Sequence, residues 1–165
     1  MKKSKFIARL LPVIFLLIGV SACVTPETND VQSTPAEKMR RVISTENAPA
    51  AVGPYSQAIQ VGDMLFLAGQ IGLDPATRTI VEGGVEAETR QAMSNLDAVL
   101  KAAGFSMADV VQAQVFLADL NDYAVMNEIY GSYFPSMAPG RAAVQVARLP
   151  LDARVEIMMT AVKTN

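Results

Sequence analysis

Arg141 and Glu156 are the two residues of this chain best suited to act together on a small molecule. Both lie near the C-terminus, where residues 141–147 and 154–161 alternate in the manner of strands around Leu149-Pro150-Leu151-Asp152. Read as a hairpin, this stretch puts Ala142, Val144 and Val146 on one face with Val155, Ile157 and Met159, which makes that face the core. Arg141, Gln145 and Glu156 then point the other way. A turn centred between Pro150 and Leu151 sets Glu156 opposite Gln145, and Arg141 falls roughly 13 Å further along at strand rise. One chain alone would hold the pair apart. Charges on a face that another subunit covers are costly unless they bind something, which points to a ligand. An interfacial ion pair that fixes subunit register fits the same spacing equally well.

The rest of the composition narrows the chemistry by exclusion. The 165 residues contain no histidine, no tryptophan and a single cysteine, Cys23. A Ser-His-Asp triad, a Cys-His dyad, a usual zinc site, a redox CxxC and an intramolecular disulfide all require residues that are missing. Lys2, Lys3, Lys5 and Arg9 account for four of the 14 basic residues, so the rest of the chain carries ten against 16 acidic ones. A surplus of acid without any basic stripe gives no electrostatic reason to bind nucleic acid.

The elements that must position the pair are legible in outline. Strands are expected at 40–44, 56–61 and 64–68, the last two joined by the turn dipeptide Gly62-Asp63. Asp74-Pro75 marks another turn, and Gly83-Gly84 precedes a helix over 85–103. Its apolar residues Ala92, Met93, Leu96, Val99, Leu100 and Ala103 follow the 3.6 period, and Gly104 stops it. Glu86 with Arg90 and Asp97 with Lys101 support its wet face. A β-branched strand at 110–117 and a helix at 121–134 follow, the helix placing Tyr123, Met126, Ile129, Tyr130 and Tyr133 on one side, a pattern more often core than ligand contact. The order β-β-β-α-β-α-β-β is that of an α+β domain. Two helices cover one face of such a sheet, so another subunit is expected over the other, which would carry Ala143, Gln145 and Met158.

Residues 1–22 have a signal-peptide layout: a basic start, an apolar run over 10–20 and small residues before Cys23. The run is interrupted by Pro12 and is short for a membrane span. Val20-Ser21-Ala22-Cys23 resembles a bacterial lipobox, which implies cleavage before Cys23, acylation there, and export as a periplasmic lipoprotein. Val24 after the cysteine favours the outer membrane. Residues 23–38 contain two prolines and little bulky apolar side chain, the composition of a flexible tether that could reach roughly 50 Å when extended. The domain is expected over 39–165.

Asn47-Ala48-Pro49-Ala50-Ala51-Val52-Gly53-Pro54-Tyr55-Ser56-Gln57, Ala68-Gly69-Gln70-Ile71, Asp119-Leu120-Asn121-Asp122-Tyr123, Arg141, Val146-Ala147-Arg148-Leu149-Pro150 and Val155-Glu156-Ile157, in that order and at those separations, resemble the RidA family, also called YjgF. The resemblance runs from Arg41 to the C-terminus. It implies a chorismate-mutase-like fold, a homotrimer with a central barrel and inter-subunit clefts, and deamination of enamines and imines such as 2-aminoacrylate without metal or organic cofactor. Matched residue by residue, Arg141 would pair with the substrate carboxylate, and Glu156 would orient the attacking water. Tyr55 would line the cleft, Gly69 would approach the ligand through its backbone, and Asn127 would add a polar contact. Gly140, Ala143, Ala68 and Met158 depart from the family pattern, and the 134–139 loop is short, so cleft shape and substrate range are what these positions alter.

Two other readings compete. Export separates the chain from the cytosolic enzymes that generate such imines, which suits a non-catalytic ligand-binding or interaction module at a membrane. Chorismate mutase shares the implied fold, but no motif here favours it.

Overall fold

The computed structural model describes residues 40–163, so the expected signal peptide, Cys23 and the tether lie outside the described residues. Strands β1 (Arg40–Ile43), β2 (Ala58–Val61) and β3 (Met64–Leu67) form an antiparallel meander, with Gly62 and Asp63 turning β2 into β3. After Ala68 and Gly69 comes a strand that the sequence did not announce, β4 (Gln70–Ile71). Helix α1 (Gly84–Ala102), strand β5 (Val110–Leu117), helix α2 (Tyr123–Ser132), strand β6 (Gly140–Gln145) and strand β7 (Val155–Val162) complete the domain. A single 3-10 turn, Leu120–Asp122, takes the first positions expected of α2.

The strands make one sheet in the order β1-β2-β3-β7-β5-β6, with β4 also on β7. β3 and β4 share an edge of β7, Phe66 opposite Thr160 and Gln70 opposite Ile157. Four positions on one strand therefore span three on the other, which is a bulge at Ala68 and Gly69. β5 and β6 run parallel, joined by α2 as a crossover, while β7 pairs antiparallel with β5.

This overturns the expected hairpin. β6 and β7 are not neighbours, because β5 lies between them, and Glu156 sits opposite Phe116 and Ile71 rather than Gln145. The short link between β6 and β7 contains a 3-10 turn in which Leu151 and Asp152 both have φ of 56°. That left-handed pair redirects the chain across β5 instead of folding it back. The expected core side of β6 is also reversed. Arg141 is level with buried Ala113 and Ala143 with buried Val115, so both face the helices, while Ala142 and Val144 face away. A parallel crossover strand at the sheet edge takes its facing from β5, and a run as uniformly small and apolar as Ala142-Ala143-Val144 does not specify it alone.

The helices cover one face. α1 contributes Ala92, Met93, Leu96, Val99 and Leu100, all completely buried, against Val155, Ile157, Met159 and Ala161 of β7. Each large side chain so buried is worth about 1.5–3 kcal/mol. Polar contacts fix the helix to the β4 region. Asn95 Nδ2 donates to the carbonyls of Ile71 at 3.2 Å and Leu73 at 2.9 Å, and a Cβ on Gly72 would lie 2.6 Å from the Glu88 backbone. Val42, Met64, Phe66 and Val144 remain exposed on the opposite face. Among the described residues no helix is long and apolar enough to cross a membrane.

Candidate active site

The open face of the sheet carries Glu156 at the floor of a cavity of about 550 Å³, whose walls include Pro49, Val52, Tyr55, Gly69 and Ile71. Two local devices shape it. The first is Gln57, buried at the start of β2, whose side-chain oxygen accepts from Thr45 N at 2.6 Å and whose nitrogen donates to the carbonyls of Thr45, Ala48 and Pro49. An amide satisfied on both ends pins the 45–49 loop against the sheet, and the chain after it delivers Tyr55 to the cavity. The second is the bulge. Gly69 lies so close to Glu156 that a Cβ there would overlap Oε1 and stand 2.8 Å from Cδ. Only glycine lets the backbone approach the carboxylate in this way.

Glu156 is half-buried, and burial pushes its carboxyl above the usual carboxylate range. Among the described residues no basic side chain pairs with it. An acid that is partly desolvated and lacks a counter-ion holds its proton more tightly than a solvated one, which suits it to proton exchange.

Arg141 occupies the helix side. Its Nη2 donates to Asn127 Oδ1 at 2.6 Å and to the Tyr123 hydroxyl at 3.1 Å. The guanidinium carbon lies 4.4 Å from the centre of the Tyr130 ring and 5.8 Å from that of Tyr123, within the range of cation–π attraction. Tyr130 is buried, its hydroxyl has no hydrogen-bond partner among the described residues, and burial pushes it up to about 12. No carboxylate of the described residues forms an ion pair with Arg141.

The residues singled out in the sequence therefore fall into two groups. Tyr55, Gly69 and Glu156 meet at the cavity on the open face; Arg141 and Asn127 meet on the helix face. The reading that put Arg141, Gln145 and Glu156 on one face fails with the hairpin it rested on, although its consequence, that one chain keeps the pair apart, stands. Gln145 instead accepts the backbone N–H of Leu120 at 3.0 Å, so it shapes the entry to α2. Ala143 packs against the core, and Met158 alone of the three named for the uncovered face lies there. Tyr130 lies in the core, as its place in the helix pattern suggests, whereas Tyr123 is exposed. Their spacing with Asn127, i, i+4 and i+7 on one helix face, is the signal that links them to Arg141. Among the described residues no cluster of acidic or sulfur ligands could hold a metal.

Comparison with known proteins agrees with this architecture. The family model described as endoribonuclease L-PSP matches residues 45–163. A mouse protein named 2-iminobutanoate/2-iminopropanoate deaminase is 53% identical over 125 residues, covering 76% of this chain and 93% of its own. The crystal structure of RidA from the Antarctic bacterium Psychrobacter superposes with a TM-score of 0.72 at 45% identity, covering 74% of this chain and 99% of that one. E. coli TdcF with bound serine gives 0.72 at 41% identity, covering 75% and 99%. With motifs, fold and relatives in agreement, the chain belongs to the endoribonuclease L-PSP family, the family of RidA and YjgF.

Proposed function

We propose that this protein hydrolyses small imines derived from amino acids, 2-aminoacrylate and its imine tautomer among them, to 2-keto acids and ammonia, at a site shared between copies of the chain. One observation carries the reading. Two oppositely charged groups, Arg141 and Glu156, each lack a counter-ion within the described chain and lie on opposite faces of one sheet. A second copy whose edge strand β6 reached over the apolar open face would bring its arginine to the carboxylate cavity of its neighbour. The homotrimer that the family resemblance implies is such an arrangement. The deaminase name of the mouse relative and the serine held by TdcF, an amino acid with a carboxylate of its own, support a substrate of this class.

The chemistry asks little of the protein. The guanidinium of Arg141 receives the substrate carboxylate, a pairing that suits its planar donors. Glu156 accepts a proton from water as the water oxygen bonds to the carbon of the N-protonated imine, whose C=N electron pair moves to nitrogen and leaves a neutral amine. Return of the proton from Glu156 to that nitrogen lets ammonia leave as the C=O bond forms, and the departing ammonia carries off the hydroxyl proton as ammonium. Tyr55 and Gly69 shape the cavity around the reacting carbon. The ribonuclease named in the family description has less support, since ten basic against 16 acidic residues beyond the leader offer RNA phosphates no electrostatic footing. Cys23 and the leader would place this activity outside the cytoplasm, at a lipid anchor.

The test generates 2-aminoacrylate in situ and follows keto-acid release against the uncatalysed rate. Acceleration is expected, with losses of about 10²–10⁴-fold in Glu156→Ala and a comparable loss in Arg141→Ala. Wild-type protein that binds a keto acid yet leaves the rate at its uncatalysed value would make the chain a binding module instead.

A further inference from the structure

Arg141 is held by side chains that carry no charge. Tyr123, Asn127 and Tyr130 occupy one face of α2, and between them they supply both hydrogen bonds and both aromatic faces that the guanidinium meets. Both bonds are made by Nη2, which leaves Nη1 and Nε to donate to a ligand. The acids of the same helix region are kept away. Asp122 is engaged with Arg154 at 3.3 Å, and Glu128, next to Asn127 in the chain, is exposed and makes no bond to Arg141. Arg90, Arg148 and Arg154 are paired with Glu86, Asp152 and Asp122, and Arg41, which also meets neutral groups in Gln60 and the Ala103 carbonyl, has none of the aromatic faces that flank Arg141.

From this contrast we propose that Tyr123, Asn127 and Tyr130 are positioning residues that aim Arg141 while leaving its charge uncompensated, so that they set the affinity of the site for carboxylates. The inference rests on the functional reading above for the kind of ligand but not for the reaction. A neutral amide and two ring faces can orient a guanidinium as firmly as an acid would. An acid at the same place would also neutralise it, and an incoming carboxylate would then compete with a partner already in contact. Asn127 is the critical member, since an aspartate has nearly the same shape and differs in charge. The buried ring of Tyr130 acts through its face, because its hydroxyl bonds to nothing among the described residues.

Calorimetric binding of 2-ketobutyrate to the full-length protein, assembled as purified, tests this without requiring turnover. Asn127→Asp should weaken binding about tenfold or more, whereas Asn127→Ala, which loses one hydrogen bond and adds no charge, should weaken it about threefold. In the deaminase assay the Asn127→Asp defect should fall mainly on KM, with kcat changed far less. Tyr130→Leu should weaken binding and Tyr130→Phe should restore most of the loss. Equal weakening by Asn127→Asp and Asn127→Ala would overturn the proposal, as would undiminished binding by Asn127→Asp. Protein that binds 2-ketobutyrate with this ranking but deaminates nothing would sink the enzymatic reading and leave the cradle standing.

Discussion

The two halves of the site are built by opposite means. Arg141 is held by side chains: an amide, a phenol and a ring face converge on it from α2. Glu156 is held by backbone: it projects from β7, the bulge at Ala68 and Gly69 brings the main chain against it, and no side chain of the described residues hydrogen-bonds it. The difference matches what the proposed reaction asks of each. A binding cation must stay charged at every working pH, so neutral partners can grip it at no electrostatic cost. A proton acceptor must be able to change charge, and gripping its charged form with donors would lower its pKa and blunt it. Leaving the carboxylate half-buried and unbonded keeps its proton affinity raised.

The sharpest way to separate the halves is Gly69→Ala. The added methyl group would collide with the Glu156 carboxylate and not with Arg141, which lies on the other face of the sheet. Displacing a catalytic group by about 1 Å can cost on the order of 10²-fold, so keto-acid release should fall by about that factor while binding of 2-ketobutyrate changes far less. Equal losses in rate and affinity would mean that the two halves are one structural unit.

A smaller effect follows from the raised proton affinity of Glu156. The acid limb of kcat/KM, corrected for the uncatalysed reaction, should fall tenfold per pH unit with its midpoint above the ordinary glutamate value of 4.5. Activity is present above that midpoint, where the carboxylate is ionised, and lost below it. A midpoint at or under 4.5, or the same limb surviving in Glu156→Gln, would show that another group controls it.

The sequence announces local elements more clearly than their pairing. Helix α1 follows from period and punctuation, Gly83-Gly84 before it and Gly104 after it, and β5 from its β-branched content. Arg141 and Glu156 stand out as charges in alternating strand segments, whereas Tyr55, Gly69 and Asn127 emerge only through motifs taken together, since none of these three carries a spacing that demands its chemistry. What the sequence hid was non-local. Residues so close in sequence as those of β6 and β7 read naturally as a hairpin, yet the α2 crossover gives β6 a parallel partner in β5, and the left-handed turn at Leu151 and Asp152 carries β7 to the far side of that strand. Facing on β6 was decided by that partner. β4 escaped because a two-residue strand after a bulge has no periodicity to read.

The smallest expected effect concerns Glu88, which shows what a buried acid looks like when its role is structural. It is more deeply buried than Glu156, and burial likewise raises its pKa, but its Oε2 accepts the backbone N–H of Arg154 at 2.7 Å and it lines neither half of the site. A glutamate that binds its proton more tightly when folded makes stability fall as pH rises from 4.5 through the raised value, because the folded state then holds more protons than the unfolded one. Glutamine keeps an oxygen that can accept the Arg154 N–H and has nothing to ionise. Glu88→Gln should therefore gain stability relative to wild type as pH climbs through that window, read by urea denaturation at fixed protein concentration, with kcat/KM unchanged. A relative stability that falls as pH rises would mean that the ionised carboxylate is the better partner for Arg154; a lost acid limb in kcat/KM would move Glu88 into the same role as Glu156 and erase the distinction between a bonded acid and a free one.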